Sequence, residues 1–550
     1  MTTSARHPVR PIAEAERRRY LDEGWWTDDT LGAVVDRSLR VAPDTTVRVW
    51  SDSHPWAGTY ADVHLAARRL VTALRDAGIE PGDVVAFQLP NSYAAIVAFY
   101  ALAMGGYVLV PIVHIYGAKE VRFILAQSGA RAYLSADAFG HVDYLDIVDG
   151  ADEHDLGPLA LHLVIGDRRP DPRAGLRRVG WDVVDASAPV PAVVAADPDD
   201  VCVLAYTSGT TSEPKGVMHT HRTLLAEVEH IRGWITPGAP NLMGSPITHA
   251  TGMLGAVLAP MSLGEPVHVI DRWDPDRVLE IMLEADIGAG TGASVFLASI
   301  IDHPGFTAEH ARRVPRVGLG GAPVPVALGE RAAAHGITVM RAYGSTEHPS
   351  ITGSTFDDPA AKRHATDGRP MPGVEIRLCD EDGAPVPTGV PGEIWSRGPD
   401  LCAGYTDAAL TARAFDDEGW YRTGDMGVLD ADGFLTITDR INDVIIRGGE
   451  NISAAEVEQV VAAMPEVAEV AVVAAPDARL GEHACAVVRL APAVATLDLD
   501  DVTVALARAG LARQKWPEQL RIVTDFPRTA TGKIRKVDLR ADLRADATGE

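Results

Sequence analysis

Residues 206–216 read YTSGTTSEPKG, a run of hydroxyl-bearing side chains and glycines that ends in Lys215 and a further glycine. The run directly follows VCVLAY (201–206), an apolar stretch typical of a buried strand. Small residues let a backbone approach a ligand closely, and free N–H and hydroxyl groups hydrogen-bond phosphate oxygens. The pattern therefore indicates either a phosphate-binding loop at a strand end or an ordinary flexible connection.

Three better-known loops and turns do not fit this chain. A Walker A loop has Gly immediately before its Lys and Ser or Thr after it, whereas Pro214 precedes Lys215 here. The segment GAGTGA (288–293) has the letters of a dinucleotide-binding fingerprint, but DPDRVLEIMLEADI before it predicts a helix where that fingerprint needs a strand. We find no G-x-S-x-G nucleophile elbow.

The flanking sequence predicts an α/β fold. Strand-like runs at 84–89, 107–112 and 201–206 alternate with helix-like segments such as 61–78, which has helical apolar spacing and a C-terminal glycine. Such alternation favours α/β layers with largely parallel sheets.

The composition changes in the last third of the chain. From Pro370 to Asp439, turn-forming stretches separate short strands and predict an antiparallel β unit. A small α+β segment follows, in which Ser453 and Glu456 predict a capping box at the start of an amphipathic helix. The residues from about Ala541 onward are polar, and we expect them to fray.

Composition excludes several classes of function. The formal net charge is −26 and the pI is near 5.1, which argues against binding to a nucleic-acid backbone. The four cysteines lie far apart and form no CxxC pair, so neither a disulfide framework nor a zinc site is expected from them.

One stretch has the length of a membrane span. Residues 94–113 carry no charge, but Gly105 and Gly106 predict a buried helix that breaks there, followed by a buried strand. Asn91 stands where an N-cap would help this helix. The N-terminus has no apolar signal core. We therefore expect a cytoplasmic protein without a membrane span.

Motifs along nearly the whole chain carry a resemblance to a known family. The run at 206–216 resembles the signature of the adenylate-forming (AMP-binding) superfamily, which includes acyl-CoA ligases, firefly-luciferase-like enzymes and peptide-synthetase adenylation domains. Further stretches resemble motifs of this family in the expected order: SPITHATGM (245–253), GLGGAPVP (318–325), RAYGSTEHP (341–349), WYRTGDMG (420–427), DRINDVIIRGGENIS (439–453) and PRTATGKIRK (527–536). The sequence is most similar to the acyl-CoA ligase branch.

The resemblance implies a reaction in two halves. A carboxylate attacks the α-phosphorus of ATP to give an acyl-adenylate and pyrophosphate, and the thiol of CoA then displaces AMP. By the matching motif, the residues that would hold the β- and γ-phosphates are Thr207, Ser208, Gly209, Thr210, Thr211 and Lys215. Glu347, together with Thr210, would bind Mg²⁺, and Thr346 would contact the α-phosphate.

The same resemblance implies a site for the nucleoside. Tyr343 would stack on adenine beside Gly344, and Asp425 would accept hydrogen bonds from both ribose hydroxyls. Arg440 would bind ribose or phosphate. The opposite side of the adenine would be lined by Gly320, Gly321 and Ala322.

Two further residues are implied on the acyl side. Lys533 would lie between the acyl carboxylate and the α-phosphate and neutralise the charge that builds during attack. His249 would border the acyl pocket and the thiol passage, where it would gate or orient the substrate rather than transfer protons.

The family alternates between two arrangements of its small C-terminal domain, which requires a hinge. We predict a large N-terminal adenylation domain at 1–438, a hinge at 439–442 and a small mobile domain at 443–550. Asn442 aligns with the hinge residue, where many relatives carry Asp or Lys. Asn tolerates unusual backbone angles, so a hinge there is still expected. Gly448 and Gly449 resemble the ligase version of the segment that faces the pantetheine of CoA.

The predicted function is an AMP-forming acid–CoA ligase that uses ATP, Mg²⁺ and CoA. The residues expected at the acyl pocket are small or apolar and favour a medium-chain, alicyclic or aromatic acid; they are His249, Ala250, Met253, Ser294 to Leu297, Gly344, Pro349 and Ile351.

Other functions stay open. One is that of a biosynthetic adenylating enzyme that forms an amide, or activates nitrite for diazotisation, without CoA. A ligase for a carrier-protein thiol and a regulatory nucleotide-binding protein without catalysis are the others, although Glu347, Asp425 and Lys533 are all present. A homodimer stays open as the oligomeric state.

Overall fold

A large α/β body and a smaller α+β domain make up the chain. The computed structural model describes residues 7–207, 214–322, 324–440, 443, 445–447, 450–477, 481–492, 494–509, 511, 513–529 and 532–548. The helices are α1 (Glu14–Asp22), α2 (Leu31–Val41), α3 (Tyr60–Asp76), α4 (Tyr93–Met104), α5 (Ala118–Ser128), α6 (Tyr144–Asp149), α7 (Asp182–Ala186), α8 (His221–Arg232), α9 (Ala250–Gly252), α10 (Ala259–Leu263), α11 (Pro275–Ala285), α12 (Ser294–Ile301), α13 (Ala308–Arg313), α14 (Val326–Ala334), α15 (Ala360–Ala365), α16 (Ala408–Ala414), α17 (Ala454–Val461), α18 (Leu499–Arg508) and α19 (Lys536–Thr548).

The strands follow the same chain order. They are β1 (Thr46–Trp50), β2 (Trp56–Thr59), β3 (Val84–Gln88), β4 (Val108–Pro111), β5 (Ala132–Ala136), β6 (Ala138–Phe139), β7 (Val142–Asp143), β8 (Leu161–Ile165), β9 (Arg177–Gly180), β10 (Val201–Thr207), β11 (Lys215–Thr220), β12 (Asn241–Met243), β13 (Val267–Ile270), β14 (Gly288–Ala289), β15 (Arg316–Gly320), β16 (Thr338–Tyr343), β17 (Thr352–Gly353), β18 (Arg369–Pro370), β19 (Glu375–Cys379), β20 (Gly392–Arg397), β21 (Tyr421–Leu429), β22 (Leu435–Arg440), β23 (Ile445–Arg447), β24 (Glu450–Ile452), β25 (Val467–Asp477), β26 (Gly481–Leu490) and β27 (Gln519–Ile522).

The N-terminal part of the body contains two sheets that are mostly parallel. In the described chain, one has the order β11-β10-β4-β3-β5-β8-β9, with only the β10–β11 pair antiparallel. The other has the order β14-β12-β13-β1-β2, with only β1–β2 antiparallel. The predicted α/β layers with largely parallel sheets are therefore confirmed.

The apolar stretch at 94–113 is a buried helix followed by a buried strand, as predicted. Helix α4 is buried along almost its whole length and ends at Met104 with Gly105 as its C-cap, and Gly106 has a φ of +69°. The N-cap is Ser92, whose side chain accepts a hydrogen bond from the N–H of Ala95. Asn91 therefore is not the cap. No helix within the described parts of the chain has the length and hydropathy needed to span a bilayer.

The antiparallel unit predicted between Pro370 and Asp439 is also present. Strands β19, β20, β21 and β22 form an antiparallel sheet in chain order. Strands β15 and β16, which precede it, form a parallel pair extended by β17 and β18. The first residue of the loop after β16 is Gly344, so this sheet carries the YGSTEH segment (343–348).

The small domain is a sheet covered on both faces by helices. Strands β25 and β26 form its long antiparallel pair, with α17 and α18 packed in one apolar cluster and α19 in the other. Helix α19 continues to Thr548, so the prediction that the chain frays from about Ala541 was wrong. The reason is tertiary: Leu539 and Leu543 are buried against β25 and β26, and apolar burial outweighs the polar composition.

The predicted capping box of helix α17 is only half formed. The Ser453 hydroxyl accepts a hydrogen bond from the N–H of Glu456 at 3.1 Å, as expected. The Glu456 carboxylate instead accepts a hydrogen bond from Lys515 at 2.5 Å, so it does not return to the backbone of Ser453.

The predicted hinge at 439–442 lies between residues that contact both parts of the chain, and the domain boundaries there stay a prediction. Strand β22 ends at Arg440, and Asn442 lies outside the described residues. Asp443 accepts a hydrogen bond from Arg540 of α19 at 2.5 Å, which links it to the small domain. Across the boundary, the Ser453 hydroxyl donates to the carbonyl of Thr438 at 2.9 Å.

Candidate active site

The glycine–threonine run connects two strands that hold its ends together. Thr207, the last residue of β10, pairs with Lys215, the first residue of β11, in antiparallel register. The intervening Ser208, Gly209, Thr210 and Thr211 lie outside the described residues. The ends of the predicted phosphate loop are therefore described as a hairpin stem, and the roles of the loop residues remain predictions.

Tyr343 and Asp425 meet directly, although they come from different sheets. The Tyr343 hydroxyl donates a hydrogen bond of 2.7 Å to Asp425 Oδ2, and both residues are buried. Burial, together with the Asp425 carboxylate, raises the pKa of Tyr343, so the phenol keeps its proton. Arg440 lies opposite Asp425 in the β21–β22 pair. The residues predicted to contact adenine and ribose thus adjoin one another.

Gly320, Gly321 and Ala322, the predicted glycine wall of the adenine site, lie beside the strand that ends at Tyr343. Gly320 ends β15 and pairs in parallel register with Ala342, the residue before Tyr343. A Cβ atom on Gly320 would lie 2.8 Å from the Ala342 carbonyl oxygen, so the two backbones approach too closely for a side chain. Gly321 adopts a φ of +74°, which favours glycine, and Ala322 follows it.

Thr346 and Glu347 lie in a tight loop whose backbone and side chains are held by other strands. A Cβ atom on Gly344 would lie 1.9 Å from the carbonyl oxygen of Pro349, so the loop closes on itself there. The Tyr405 hydroxyl donates to Glu347 Oε1 at 2.7 Å, and His219 Nε2 donates to the Thr346 carbonyl at 2.8 Å.

The hydrogen bonds from Tyr405 and His219 connect this loop to the β10–β11 hairpin, which holds the ends of the predicted phosphate loop. His219 is in β11, whose first residue is Lys215, and Tyr405 forms a bridge with Val217 of the same strand. Burial and the negative charge of Glu347 raise the pKa of Tyr405, so this phenol stays protonated and keeps donating. Thr346, Glu347 and Lys215 are therefore gathered around one strand.

His249 is held at the entrance of a helix. It precedes α9, and a π-helical turn at Met253–Leu258 follows α9 directly. Burial lowers the pKa of His249 to about 4, with the positive charge of Lys533 as a further cause, so the imidazole is neutral near pH 7. A Cβ atom on Gly321 would lie 3.8 Å from the Thr251 hydroxyl, and the Thr251 N–H donates to His249 Nδ1. His249 therefore lies close to the glycine wall.

Lys533 reaches this region from the small domain. The Lys533 N–H donates to the Thr529 hydroxyl at 3.1 Å, and its carbonyl accepts from the Thr529 N–H at 2.7 Å. Gly532 adopts a φ of +83°, which explains the need for glycine beside the lysine. Because the charge of Lys533 acts on His249, the lysine tail and the acyl-side histidine share one region.

Three residues that support the site were missed from the sequence. Asn91, His219 and Tyr405 are all buried polar groups that hydrogen-bond to segments carrying predicted site residues. Asn91 accepts from the Ile247 N–H at 2.8 Å and donates to the carbonyls of Ser245 and Ile270. No spacing in the sequence signals these contacts, because each partner is more than 50 residues away.

Two residues predicted at the acyl pocket do not line an open cavity. Leu297 and Ile351 have no exposed surface and lie within separate apolar cores of the body. Met253 is also buried, whereas His249, Ala250 and Ser294 are half-buried. Val295 is exposed, and Phe296, Gly344 and Pro349 are half-buried, so these residues share the accessible part of the predicted acyl region with His249, Ala250 and Ser294.

The residues that are described fit the nucleotide and metal that the motifs imply. Glu347 supplies a carboxylate oxygen, the ligand type that Mg²⁺ prefers, in an orientation held by Tyr405. Lys215 and Lys533 carry the positive charge that phosphate oxygens would need.

Comparison with known proteins agrees with this arrangement. The model of the AMP-binding enzyme family matches residues 35–406, and that of the AMP-binding enzyme C-terminal domain matches residues 456–533. The chain is 32% identical to a medium-chain fatty-acid–CoA ligase of Escherichia coli (strain K12) over 96% of its length and 93% of the relative.

Two further relatives extend the comparison. The chain is 34% identical to a 3-[(3aS,4S,7aS)-7a-methyl-1,5-dioxo-octahydro-1H-inden-4-yl]propanoyl:CoA ligase of Rhodococcus jostii (strain RHA1), covering 88% of this chain and 94% of that one. The crystal structure of ATP-bound MatB from Rhodopseudomonas palustris is similar with a TM-score of 0.82 and 27% identity, covering 94% of this chain and 99% of that one. The chain therefore belongs to the AMP-binding enzyme family, in its acyl-CoA ligase branch, as an AMP-forming ligase that uses ATP, Mg²⁺ and CoA.

Proposed function

We propose that this ligase activates a medium-chain, alicyclic or aromatic carboxylic acid and transfers the acyl group to CoA. The main support is geometric: the Tyr343 hydroxyl donates to the Asp425 carboxylate and the Tyr405 hydroxyl donates to the Glu347 carboxylate, so the side chains proposed to bind ribose and Mg²⁺ are oriented by neighbours. The relatives named above act on a medium-chain fatty acid and on a propanoate with a fused alicyclic ring.

In the first half-reaction, the chain acts mainly by orienting charged groups. The Lys533 ammonium neutralises charge that develops between the acyl carboxylate and the α-phosphate. Asp425 accepts from the ribose hydroxyls while the Tyr343 hydroxyl holds its Oδ2 atom in place. Mg²⁺, when bound by Glu347, supplies charge neutralisation at the phosphate oxygens.

His249 orients the acid instead of moving a proton. A pKa of about 4 leaves its imidazole neutral at physiological pH, so it does not attract a second carboxylate. Ala250, which follows it in the chain, is half-buried, small and uncharged. These features favour an acid with a single carboxylate and an apolar remainder.

The second half-reaction needs a different position of the small domain. Lys533 lies in a loop of that domain, so rotation about the segment between Arg440 and Asp443 withdraws the ammonium and opens a path for the CoA thiol.

The test follows the products of the two half-reactions separately. The protein is incubated with ATP, Mg²⁺ and octanoate, cyclohexanecarboxylate, benzoate or malonate, with and without CoA, while pyrophosphate, AMP and thioester are measured. We expect pyrophosphate and thioester from at least one monocarboxylate and neither from malonate.

Other results would redirect the assignment. Pyrophosphate without any thioester, and formation of an amide when amines are added, would show an amine as the acceptor. Turnover of malonate in preference to the monocarboxylates would contradict the proposed acid class. The absence of pyrophosphate under every condition would contradict adenylation itself.

A further inference from the structure

A buried group of ionisable side chains lies behind the loop that carries Thr346 and Glu347. Glu227 and His230 are one turn apart in α8, and Asp400 lies in the segment after β20. One ligand-type atom from each of the three lies within 4.8 Å of the other two. All three side chains are essentially inaccessible to solvent, with 0 to 1% of their surface exposed.

The outer atoms of these side chains are already held by neighbours. His230 Nε2 donates to the carbonyl of Pro372 at 2.8 Å, which turns Nδ1 toward the carboxylates. Ser350 donates its hydroxyl to Glu227 Oε1 at 2.8 Å and its N–H to Asp400 Oδ2 at 3.4 Å. Metal-binding histidines and carboxylates are commonly oriented in this way by partners on their far sides.

The inner atoms are not hydrogen-bonded to one another. His230 Nδ1 lies 3.7 Å from Glu227 Oε2 and 3.6 Å from Asp400 Oδ1, both too long for a hydrogen bond. Among the described residues, Glu227 Oε2 and His230 Nδ1 have no hydrogen-bond partner. Buried polar atoms without a partner are rare and costly, so a missing positive species between them is expected.

His348 also faces this group. Its Nε2 lies 3.1 Å from Asp400 Oδ1, and its Nδ1 lies 2.8 Å from the Ser396 hydroxyl. It contacts the same Asp400 oxygen that approaches His230, and it forms no hydrogen bond with Glu227 Oε2 or His230 Nδ1. Trp25 packs on the His230 ring, with 5.1 Å between ring centroids, and covers the group on that side.

The spacing suits a small cation. With sides of 3.6 and 3.7 Å and a third side of at most 4.8 Å, an ion equidistant from the three atoms lies within about 2.4 Å of each, close to the 2.0–2.2 Å of Zn–N and Zn–O bonds. One imidazole nitrogen and two carboxylate oxygens form a donor set for a divalent first-row ion.

We propose that Glu227, His230 and Asp400 bind one divalent transition-metal ion, with Zn²⁺ as the best match. The ion is structural and separate from the nucleotide-bound Mg²⁺, because the Glu347 side chain hydrogen-bonds to Tyr405 instead. It ties α8 to Asp400, and Ser350, which hydrogen-bonds to both carboxylates, follows the loop that carries Thr346 and Glu347. This assignment does not depend on the acid proposed above.

The test measures bound metal in the full-length protein. The protein is produced without added metal, passed over a chelating resin and assayed by plasma mass spectrometry, and we expect about one transition-metal equivalent per chain. Glu227→Gln and His230→Gln should lose at least about 80% of that metal, because each removes one ligand while preserving side-chain size. Circular dichroism establishes that the variants are folded.

Two control variants distinguish this site from metal bound elsewhere on the chain. His162→Gln removes a buried histidine that bonds Ser135 in a different sheet region, and Glu347→Gln removes the proposed Mg²⁺ ligand; both should retain the metal. Loss of metal in Glu347→Gln but not in Glu227→Gln would place the ion at the nucleotide site and overturn the proposal.

A second measurement decides the matter even if a variant fails to fold. Unsubstituted protein produced in cobalt-supplemented minimal medium should show the visible absorption of tetrahedral or five-coordinate Co²⁺. Protein that is folded, free of transition metal and without this absorption would show that a proton on His230 neutralises the group, and the metal proposal would be wrong.

Discussion

At the scale of single residues, the candidate site consists of charged groups that neighbours orient before any ligand is present. The Asp425 carboxylate is held by Tyr343, and the Glu347 carboxylate is held by Tyr405. Both phenols have a raised pKa and therefore keep the protons that they donate. Orientation in the free enzyme means that little reorganisation is needed when the substrates bind.

Lys533→Ala should slow adenylate formation by about 10²- to 10³-fold, because a positioned donor that meets developing charge is worth that much. Thioester formation from a preformed acyl-adenylate should change far less, since the proposed rotation of the small domain withdraws the ammonium before that step. Pyrophosphate release and thioester formation are timed separately. Lys515→Ala, a lysine of the same small domain that pairs with Glu456, is the control. Equal losses in both steps would contradict the role of Lys533.

Tyr405→Phe should raise the Mg²⁺ concentration needed for half-maximal adenylation by about 5- to 50-fold, the effect of losing a hydrogen bond of about 1–2.5 kcal/mol to a carboxylate. The Glu347 backbone stays in place, because its carbonyl still accepts from the Cys402 N–H at 2.8 Å. Tyr60→Phe, which loses a hydrogen bond to the Glu265 carbonyl, serves as the control. An unchanged Mg²⁺ dependence in Tyr405→Phe would show that Glu347 needs no such support.

At the scale of elements, the acyl side is assembled from a helix start, a strand end and a loop. Asn91, immediately before the N-cap of α4, joins the end of β13 to the 245–247 segment that leads to His249. The π-helical turn after α9 lies next to the same segment, and such turns are frequent at functional sites. The position of His249 thus depends on three elements that are distant in sequence.

Asn91→Ala should lower kcat/KM for the acid by about tenfold or more and also lower Tm, because the Ile247 N–H and two carbonyls lose a buried partner at about 1–3 kcal/mol for each unsatisfied group. Ser92→Ala is the matched control, since it removes only the N-cap of α4. It should lower Tm with little effect on the acid. Similar kinetic losses in the two variants would indicate that α4, rather than the His249 segment, is responsible.

At the scale of the whole molecule, burial affects the titration of several histidines. Burial is the main cause of a lowered pKa in each of them, to about 3 for His162 and to about 4 for His114, His221, His249 and His268. Their folded-state pKa lies below the unfolded value of about 6.5. The unfolded chain therefore binds more protons in the interval between these values.

Lowering the pH from 7 to 5 should consequently lower Tm by several degrees. The stability contributed by these neutral histidines is present above pH 6.5 and is lost as the pH falls toward 4. Differential scanning fluorimetry at fixed ionic strength measures the slope. His162→Gln should flatten it, because one fewer proton is taken up on unfolding. A constant Tm between pH 7 and pH 5 would contradict this linkage.

The sequence by itself determined the class of fold and predicted the residues of the candidate site. Alternating apolar runs indicated the layered α/β body, and turn-rich short strands indicated the antiparallel unit between Pro370 and Asp439. Local patterns were sufficient here, since the period of apolar residues and the turns marked by Gly and Pro can be read within a short stretch of chain. The motifs carrying Tyr343, Asp425 and Lys533 were recognised in another way, by their resemblance to those of the AMP-binding enzyme family.

Only the tertiary structure decided which residues support that site. Tyr405 lies 58 residues from Glu347, and Asn91 lies 156 residues from Ile247. Helix α19 continues to Thr548, since Leu543 finds an apolar partner surface on the sheet. Contacts between distant segments leave no periodic signal in a single chain, so buried hydrogen bonds and core packing became visible only when the segments were brought together.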